Sequence, residues 1–292
     1  MTDLVIYDPA PAALVPQQAT NDGHLVALWL YGRSAATQRA YTADVRDFLG
    51  HLGGRALRSV TVGDVQSFGA SLEHLSSATR ARRLSSVKSL LAYGHRLGYL
   101  PFDVGAVVAV PPVKNTLAER IMAEPDVQRL LALETSPRNA VMLRLLYAAG
   151  LRISEVCALR WRDARPRDDA GQVTIFGKGG KTRAVLLPAT VWGALVALRQ
   201  GAGEDDPIFR SRKRGHLHSS AVHRVVKTAA DRAGLSAEVS AHWLRHAHAS
   251  HALDRGAPVH LVQATLGHAS VATTGRYAHA RPTESSSRFL AV

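Results

Sequence analysis

Residues 172–188 read QVTIFGKGGKTRAVLLP, and the fold class turns on this stretch. The run Gly177-Lys178-Gly179-Gly180-Lys181-Thr182 has the look of a nucleotide-binding phosphate loop. That motif, G-x-x-x-x-G-K-[ST], would need a glycine where Ile175 stands, and it opens into a helix. Here the turn is followed by RAVLL, a second run of strand-forming residues. Strand formers on both sides of a glycine-rich turn signal a hairpin. An NTPase is therefore excluded. Two lysines share the turn, where ammonium and backbone N–H groups suit a phosphate. A solvated basic turn is the equal reading from this segment alone.

Around the hairpin the chain is helical. The runs PDVQRLLALE, PRNAVMLRLLYAAG, RISEVCALRW, ATVWGALVALRQ and SSAVHRVVKTAADRAG all carry helical patterns. Upstream, SAATQRAYTADVRDFLGHL spaces Ala36, Tyr41, Val45, Phe48 and Leu49 near a helical repeat, with Ser34 as N-cap. TVGDVQSFGASL opens with Thr61 and Asp64 at capping-box spacing. A further helix starting after Ser77 or Thr79 is basic early, with Arg80 and Arg83, and apolar later, with Val87, Leu90 and Leu91. The two prolines of VVAVPPVKNTLAER break the pattern. The expected organisation is a mobile arm over 1–20, a helical domain over 21–108, a linker over 109–118, and a second domain over 119–292.

The formal net charge of +13 points to a polyanionic partner, for which nucleic acid is the usual one. The charge is uneven. Up to residue 118 there are 11 Lys and Arg against 8 Asp and Glu, and beyond it 25 against 15. The single cysteine, Cys157, excludes an intrachain disulfide. No apolar run is long enough to cross a membrane, and the start shows no secretion signal, so a cytoplasmic protein is expected.

Residues 240–251, SAHWLRHAHASH, crowd four histidines around Arg245. His242 and His246 have the spacing of a zinc-binding H-E-x-x-H helix, but Trp243 occupies the glutamate position. No Asp, Glu or Cys lies between Ala241 and Leu253, so no metal is expected. The other spacing, His242 to Arg245, puts a proton carrier and a phosphate fork on one helical face. Together they suit a phosphodiester.

GLRISE, GKGGKTR, HWLRHAHASH and LGHASVATTGRYAH stand in the order and spacing of one family. The sequence resembles tyrosine recombinases of the phage-integrase and Xer type, over about residues 20–280. SAATQRAYTADVRDF and SSATRARRLSSVKSLLAY are similar to that family's helical, SAM-like core-binding domain. The resemblance implies a mainly α, two-domain DNA clamp whose α+β catalytic domain carries the small β-hairpin. It also implies the site. Arg152 and Arg245 would hold the scissile phosphate, and Glu155 would support them. Lys178 would protonate the leaving 5′-oxygen, with Lys181 the less favoured lysine. His242 would assist proton transfer at the nucleophile, His268 would hydrogen-bond the phosphate, and Tyr277 would attack. His246, His248 and His251 fall outside this set and read as helix packing or DNA-side groups.

The implied activity is site-specific cutting and rejoining of double-stranded DNA through a 3′-phosphotyrosyl intermediate, without cofactor or metal. Arg80, Arg83 and Lys88 are the expected DNA contacts of the first domain, and Lys181 of the second. The implied assembly is a homotetramer on DNA, or a hetero-tetramer with a second recombinase, associated with the nucleoid. The apolar ending Phe289, Leu290 and Val292 is expected to dock on a neighbouring protomer. Type IB topoisomerase-like relaxation and non-catalytic DNA binding are the alternatives.

Overall fold

The structure is a computed structural model that describes residues 18–177, 180 and 182–278. The chain forms two compact units that divide between Lys114 and Asn115. Among the described residues no helix is long and apolar enough to cross a membrane.

The first unit contains α1 (Asp22–Leu30), α2 (Ala35–His51), α3 (Val62–Ser71) and α4 (Ser77–Arg96). Each start has a polar cap where local chemistry calls for one. Asn21, Ser34, Thr61 and Ser76 accept from the backbone N–H groups of His24, Thr37, Asp64 and Thr79. At α3 the Asp64 carboxylate returns a bond to the Thr61 N–H, completing the capping box. Leu25, Phe48, Val65, Phe68, Val87, Leu90 and Leu91 form a closed apolar core, with Phe48 and Phe68 edge to face at 5.1 Å.

The second unit is built around one helix. Its elements are α5 (Glu124–Ala132), α6 (Pro137–Ala148), α7 (Ile153–Ala158), β1 (Ala164–Arg167), β2 (Ala170–Phe176), β3 (Thr182–Leu187), α8 (Ala189–Ala197), α9 (Ser219–Arg232), α10 (Ala241–Asp254), α11 (Val259–Leu266) and α12 (Val271–Ala278). Helix α10 packs against α5, α6, α9, α11 and α12. Such a central helix cannot be amphipathic, and Leu244, Arg245, His246, Ala247, Ala249, Ser250 and His251 are all buried.

The expected hairpin is present as β2 and β3, antiparallel, with Val173 opposite Val185 and Phe176 opposite Thr182. Val173, Ile175, Val185 and Leu187 alternate inward with the two-residue period of a strand. A third strand, β1, extends the sheet in the order β1-β2-β3. Its sequence, ARPR, lacks strand formers, and Pro166 is tolerated because β1 is an edge strand.

Candidate active site

Arg152 precedes α7. Its backbone N–H donates to Glu155 Oε2 at 2.8 Å, and its Nη1 donates to Glu155 Oε1 at 2.9 Å. The Arg152 side chain remains 41% exposed, so much of the guanidinium faces solvent. Just before it, Gly150 adopts φ +59, a left-handed conformation that favours glycine. The Gly150 carbonyl accepts from Arg245 Nη1, and the Leu266 carbonyl accepts from Arg245 Nη2 at 2.6 Å. Arg245 is only 2% exposed. Its buried cation is thus fixed by two backbone carbonyls from different elements, and neither bond is to a carboxylate.

Helix α11 ends at Gly267, whose φ of +63 turns the chain back. The next residue, His268, is oriented by a 2.9 Å bond between its Nδ1 and Thr274 Oγ1. Thr274 is fully buried on α12, one turn before Tyr277. The His268 and Tyr277 rings lie nearly parallel, 6.3 Å apart. Helix α12 packs on α10, and that contact places the Tyr277 hydroxyl 2.7 Å from His246 Nδ1.

The partner of the tyrosine is therefore His246, a residue that motif reading leaves to packing. His242 instead stands exposed, and its ring meets that of His246 edge to face at 4.3 Å. His242 lines a cleft of about 350 Å³ together with Arg152, Arg245, Ser219, His223 and Ser240. Of the remaining histidines, His251 bridges the Tyr147 hydroxyl and the Met122 carbonyl at 3.0 Å each, which is packing. Among the described residues no group of His, Cys, Asp and Glu is arranged to hold a metal ion.

The electrostatics follow from this geometry. Burial, then the neighbouring Arg152, lowers Arg245 to about 10, still cationic at neutral pH. Burial and the nearby cations lower His268 to about 4 and His246 to about 3, so both rings are neutral. His242 is lowered by the same causes, desolvation first, then Arg245 and Arg152. Burial raises the Tyr277 phenol, while Arg245, Arg276 and Arg152 pull it down. Glu155 stays ionised: burial opposes this, but bonds from Arg183 and Arg152 outweigh it. The cluster thus holds more cation than anion, with neutral histidines at its edge.

A second basic groove runs along the other flank of α9, lined by Arg138, Arg212, Lys213, Arg224 and Arg232. Of these, Arg232 is ion-paired to the buried Glu134 at 3.1 Å.

Lys178 and Lys181 are outside the described residues, as is the apolar tail. In the first unit, Arg83 pairs with Asp47 at 2.5 Å, and Arg80 sits 3.8 Å from Glu73. Lys88 donates to the Val108 carbonyl. All three carry internal partners on α4 or beside it.

A model of the phage integrase family matches residues 118–284, and one of the phage integrase N-terminal SAM-like domain matches residues 25–97. The chain is 33% identical over 262 residues to tyrosine recombinase XerC of Xylella fastidiosa (strain M23), covering 85% of this chain and 87% of that one. With tyrosine recombinase XerC of Xanthomonas campestris pv. campestris (strain B100) it shares 34% identity over 257 residues, 84% of this chain and 79% of that one. Among solved structures, a lambda integrase dimer bound to a COC′ core site matches with a TM-score of 0.74 at 19% identity, covering 90% and 95% of the two chains. XerH bound to its difH substrate before cleavage matches with a TM-score of 0.71 at 21% identity, covering 91% and 82%. At those identities the structural likeness speaks for the fold.

Proposed function

Because this chain belongs to the phage integrase family of tyrosine recombinases, we propose that it cuts and rejoins double-stranded DNA at a specific site through a 3′-phosphotyrosyl intermediate. The observation that carries the reading is the convergence of Tyr277, on α12, with Arg152 before α7, Arg245 on α10 and His268 after α11: the His268 ring lies 6.3 Å from that of Tyr277, and the charges of Arg245 and Arg152 act on the phenol.

A phosphodiester is anionic, and attack on it adds charge to the phosphoryl oxygens. Arg152 and Arg245 stabilise that charge where it forms, and His268 adds a hydrogen bond. Loss of one such donor typically costs about 3–4 kcal/mol, roughly 10²–10³ in rate. The Tyr277 oxygen attacks phosphorus and the 5′-oxygen departs. The phenolic proton leaves toward the histidines on α10, and Lys178 supplies one to the leaving oxygen. The ester retains the energy of the broken bond, so a 5′-hydroxyl from another strand reseals it.

The basic groove beside α9 and the +13 net charge suit the flanking phosphates, which position a duplex without reading its sequence. Arg80, Arg83, Lys88 and Lys181 would add contacts. Exchange between two duplexes requires several protomers, and a tetramer supplies one nucleophile per strand.

The test is covalent capture. The protein is expressed in cells holding its native replicons, lysed in detergent without crosslinker, and any attached DNA is sequenced. DNA at one site with wild type, and none with Tyr277→Phe, is expected. No attached DNA from wild type, or equal recovery from both, overturns the reading.

A further inference from the structure

A carboxylate beside a phosphate-gripping arginine is a hazard, because it competes with the phosphate for the same fork. Glu155 is 8% exposed and ionised, and it touches Arg152 through the side chain and the backbone. What restrains it is Arg183, at the start of β3. Arg183 Nη1 donates to Glu155 Oε1 at 2.9 Å, and its Nη2 donates to Oε2 at 2.9 Å, a two-pronged grip on both oxygens. Arg152 is left with a single side-chain bond to that carboxylate.

Arg183 cannot easily swing aside. Its Nε donates to the Thr265 carbonyl at 2.8 Å. Gly267 lies over it so closely that a Cβ there would sit 3.0 Å from Nη1 and 3.1 Å from Cδ. The same turn carries the Leu266 carbonyl that fixes Arg245, and it leads into His268.

We propose that Arg183 is a positioning residue: it holds the Glu155 carboxylate so that Arg152 stays free for the scissile phosphate. The proposal rests on the reading of Arg152 as a phosphate-holding residue. Without Arg183, the buried Glu155 anion has one cation left and takes both prongs of Arg152, cancelling its charge and turning it from the cleft.

The test is single-turnover cleavage of a duplex carrying the captured site, with an ordinary phosphate or an uncharged methylphosphonate at the scissile position. An uncharged centre needs less cationic stabilisation, so defects caused by a missing cation shrink on it. Arg183→Ala should lose about 10²-fold on the phosphate, the scale for one lost donor. Adding Glu155→Gln, which removes the competing charge, should recover about tenfold of that loss. On the methylphosphonate, the gap between Arg183→Ala and wild type should narrow as it does for Arg152→Ala. Arg183→Lys keeps the charge without the fork, serves where alanine prevents folding, and should fall between.

Wild-type cleavage by Arg183→Ala overturns the proposal. So does a defect that neither Glu155→Gln nor the methylphosphonate relieves, which would mark Arg183 as a structural strut only. If Arg152→Ala itself gains nothing on the methylphosphonate, the phosphate-holding reading of Arg152 fails instead. An arm free of DNA uses ¹⁵N spectra of the arginine side chains. Arg183→Ala should move the Arg152 Nε resonance and Glu155→Gln should move it back, and an unmoved resonance overturns the proposal.

Discussion

Replacing Gly150 with alanine should unseat Arg245. Gly150 has φ +59, and a Cβ built on it would lie 2.6 Å from Leu266 Cδ2 and 3.0 Å from His248 Cδ2. Two penalties add: about 1–2 kcal/mol for a side chain in the left-handed region, and about 1–3 kcal/mol for overpacking a filled interior. About 3 kcal/mol is a central value, which lowers the melting temperature by about 6–12 °C for a unit of this size. Gly234→Ala is the control, since Gly234 has φ +63 but nothing within 4 Å of the place a Cβ would take. It incurs the backbone penalty alone. Trp161, Trp192 and Trp243 all belong to the second unit and only Trp29 to the first, so tryptophan fluorescence follows the relevant transition. Because the Gly150 carbonyl anchors Arg245, cleavage should fall with stability, by about tenfold or more even well below the melting temperature. A melting temperature matching that of Gly234→Ala would refute the close packing. Normal cleavage by a clearly destabilised Gly150→Ala would refute the dependence of Arg245 on that carbonyl.

Two further predictions concern His246. His246→Leu strands the Tyr277 hydroxyl without its 2.7 Å hydrogen-bond partner; a buried polar group left unpaired costs about 1–3 kcal/mol, or about 5- to 150-fold in covalent-complex formation. DNA affinity should not change, and an equal or faster cleavage rate would count against His246 orienting the nucleophile. The second is acid sensitivity. His246 titrates at about 3 in the folded chain against 6.5 as its ordinary value, so below that value the unfolded chain takes up a proton that the native ring refuses. This contribution to stability is intact above about pH 6.5 and is lost as pH falls toward about 3, amounting to about 2–3 kcal/mol by about pH 4.5. Urea midpoints for wild type should therefore drop further between about pH 7.5 and about pH 4.5 than those of His246→Leu, and parallel drops would refute the assignment.

Local chemistry is readable from sequence wherever a structure is determined by neighbours in the chain. The Thr61–Asp64 capping box, the Ser34 cap and the β2–β3 hairpin all form as their spacing implies. Strand β1 is not readable, because an edge strand of sequence ARPR buries only Ala164, too little to impose a pattern. Helices α11 and α12 have eight residues each, about two turns, too short for a periodic signal. In the site, Arg152, His242, Arg245, His268 and Tyr277 stand out as motif residues, yet the contact of Tyr277 with His246 spans 31 positions and exists only because α12 packs on α10. Arg183 is hidden differently. Arginine supplies most of the 36 basic residues, so one more beside a lysine turn carries no signal until its partner Glu155 is known.

These contacts also explain why the proposed nucleophile stays protonated although buried beside strong cations. Arg152 and Arg245 would favour an ionised phenol, but Tyr277 is 6% exposed and burial keeps its proton on. Its partner His246, held near 3 by burial and by the charge of His242 and the surrounding arginines, is a poor base when left to these neighbours. Burial is the first cause of each of these shifts, and for the histidines the surrounding cations, without enough anion to balance them, add to it. A phosphodiester in the cleft supplies that anion. In the proposed reaction it would offset the cationic part of the histidines' shifts and give the arginines a partner, so the site would gain proton-accepting capacity with the phosphate bound. The residues proposed to bind the substrate and those that keep the tyrosine protonated are then parts of one charge balance, which the substrate itself would complete.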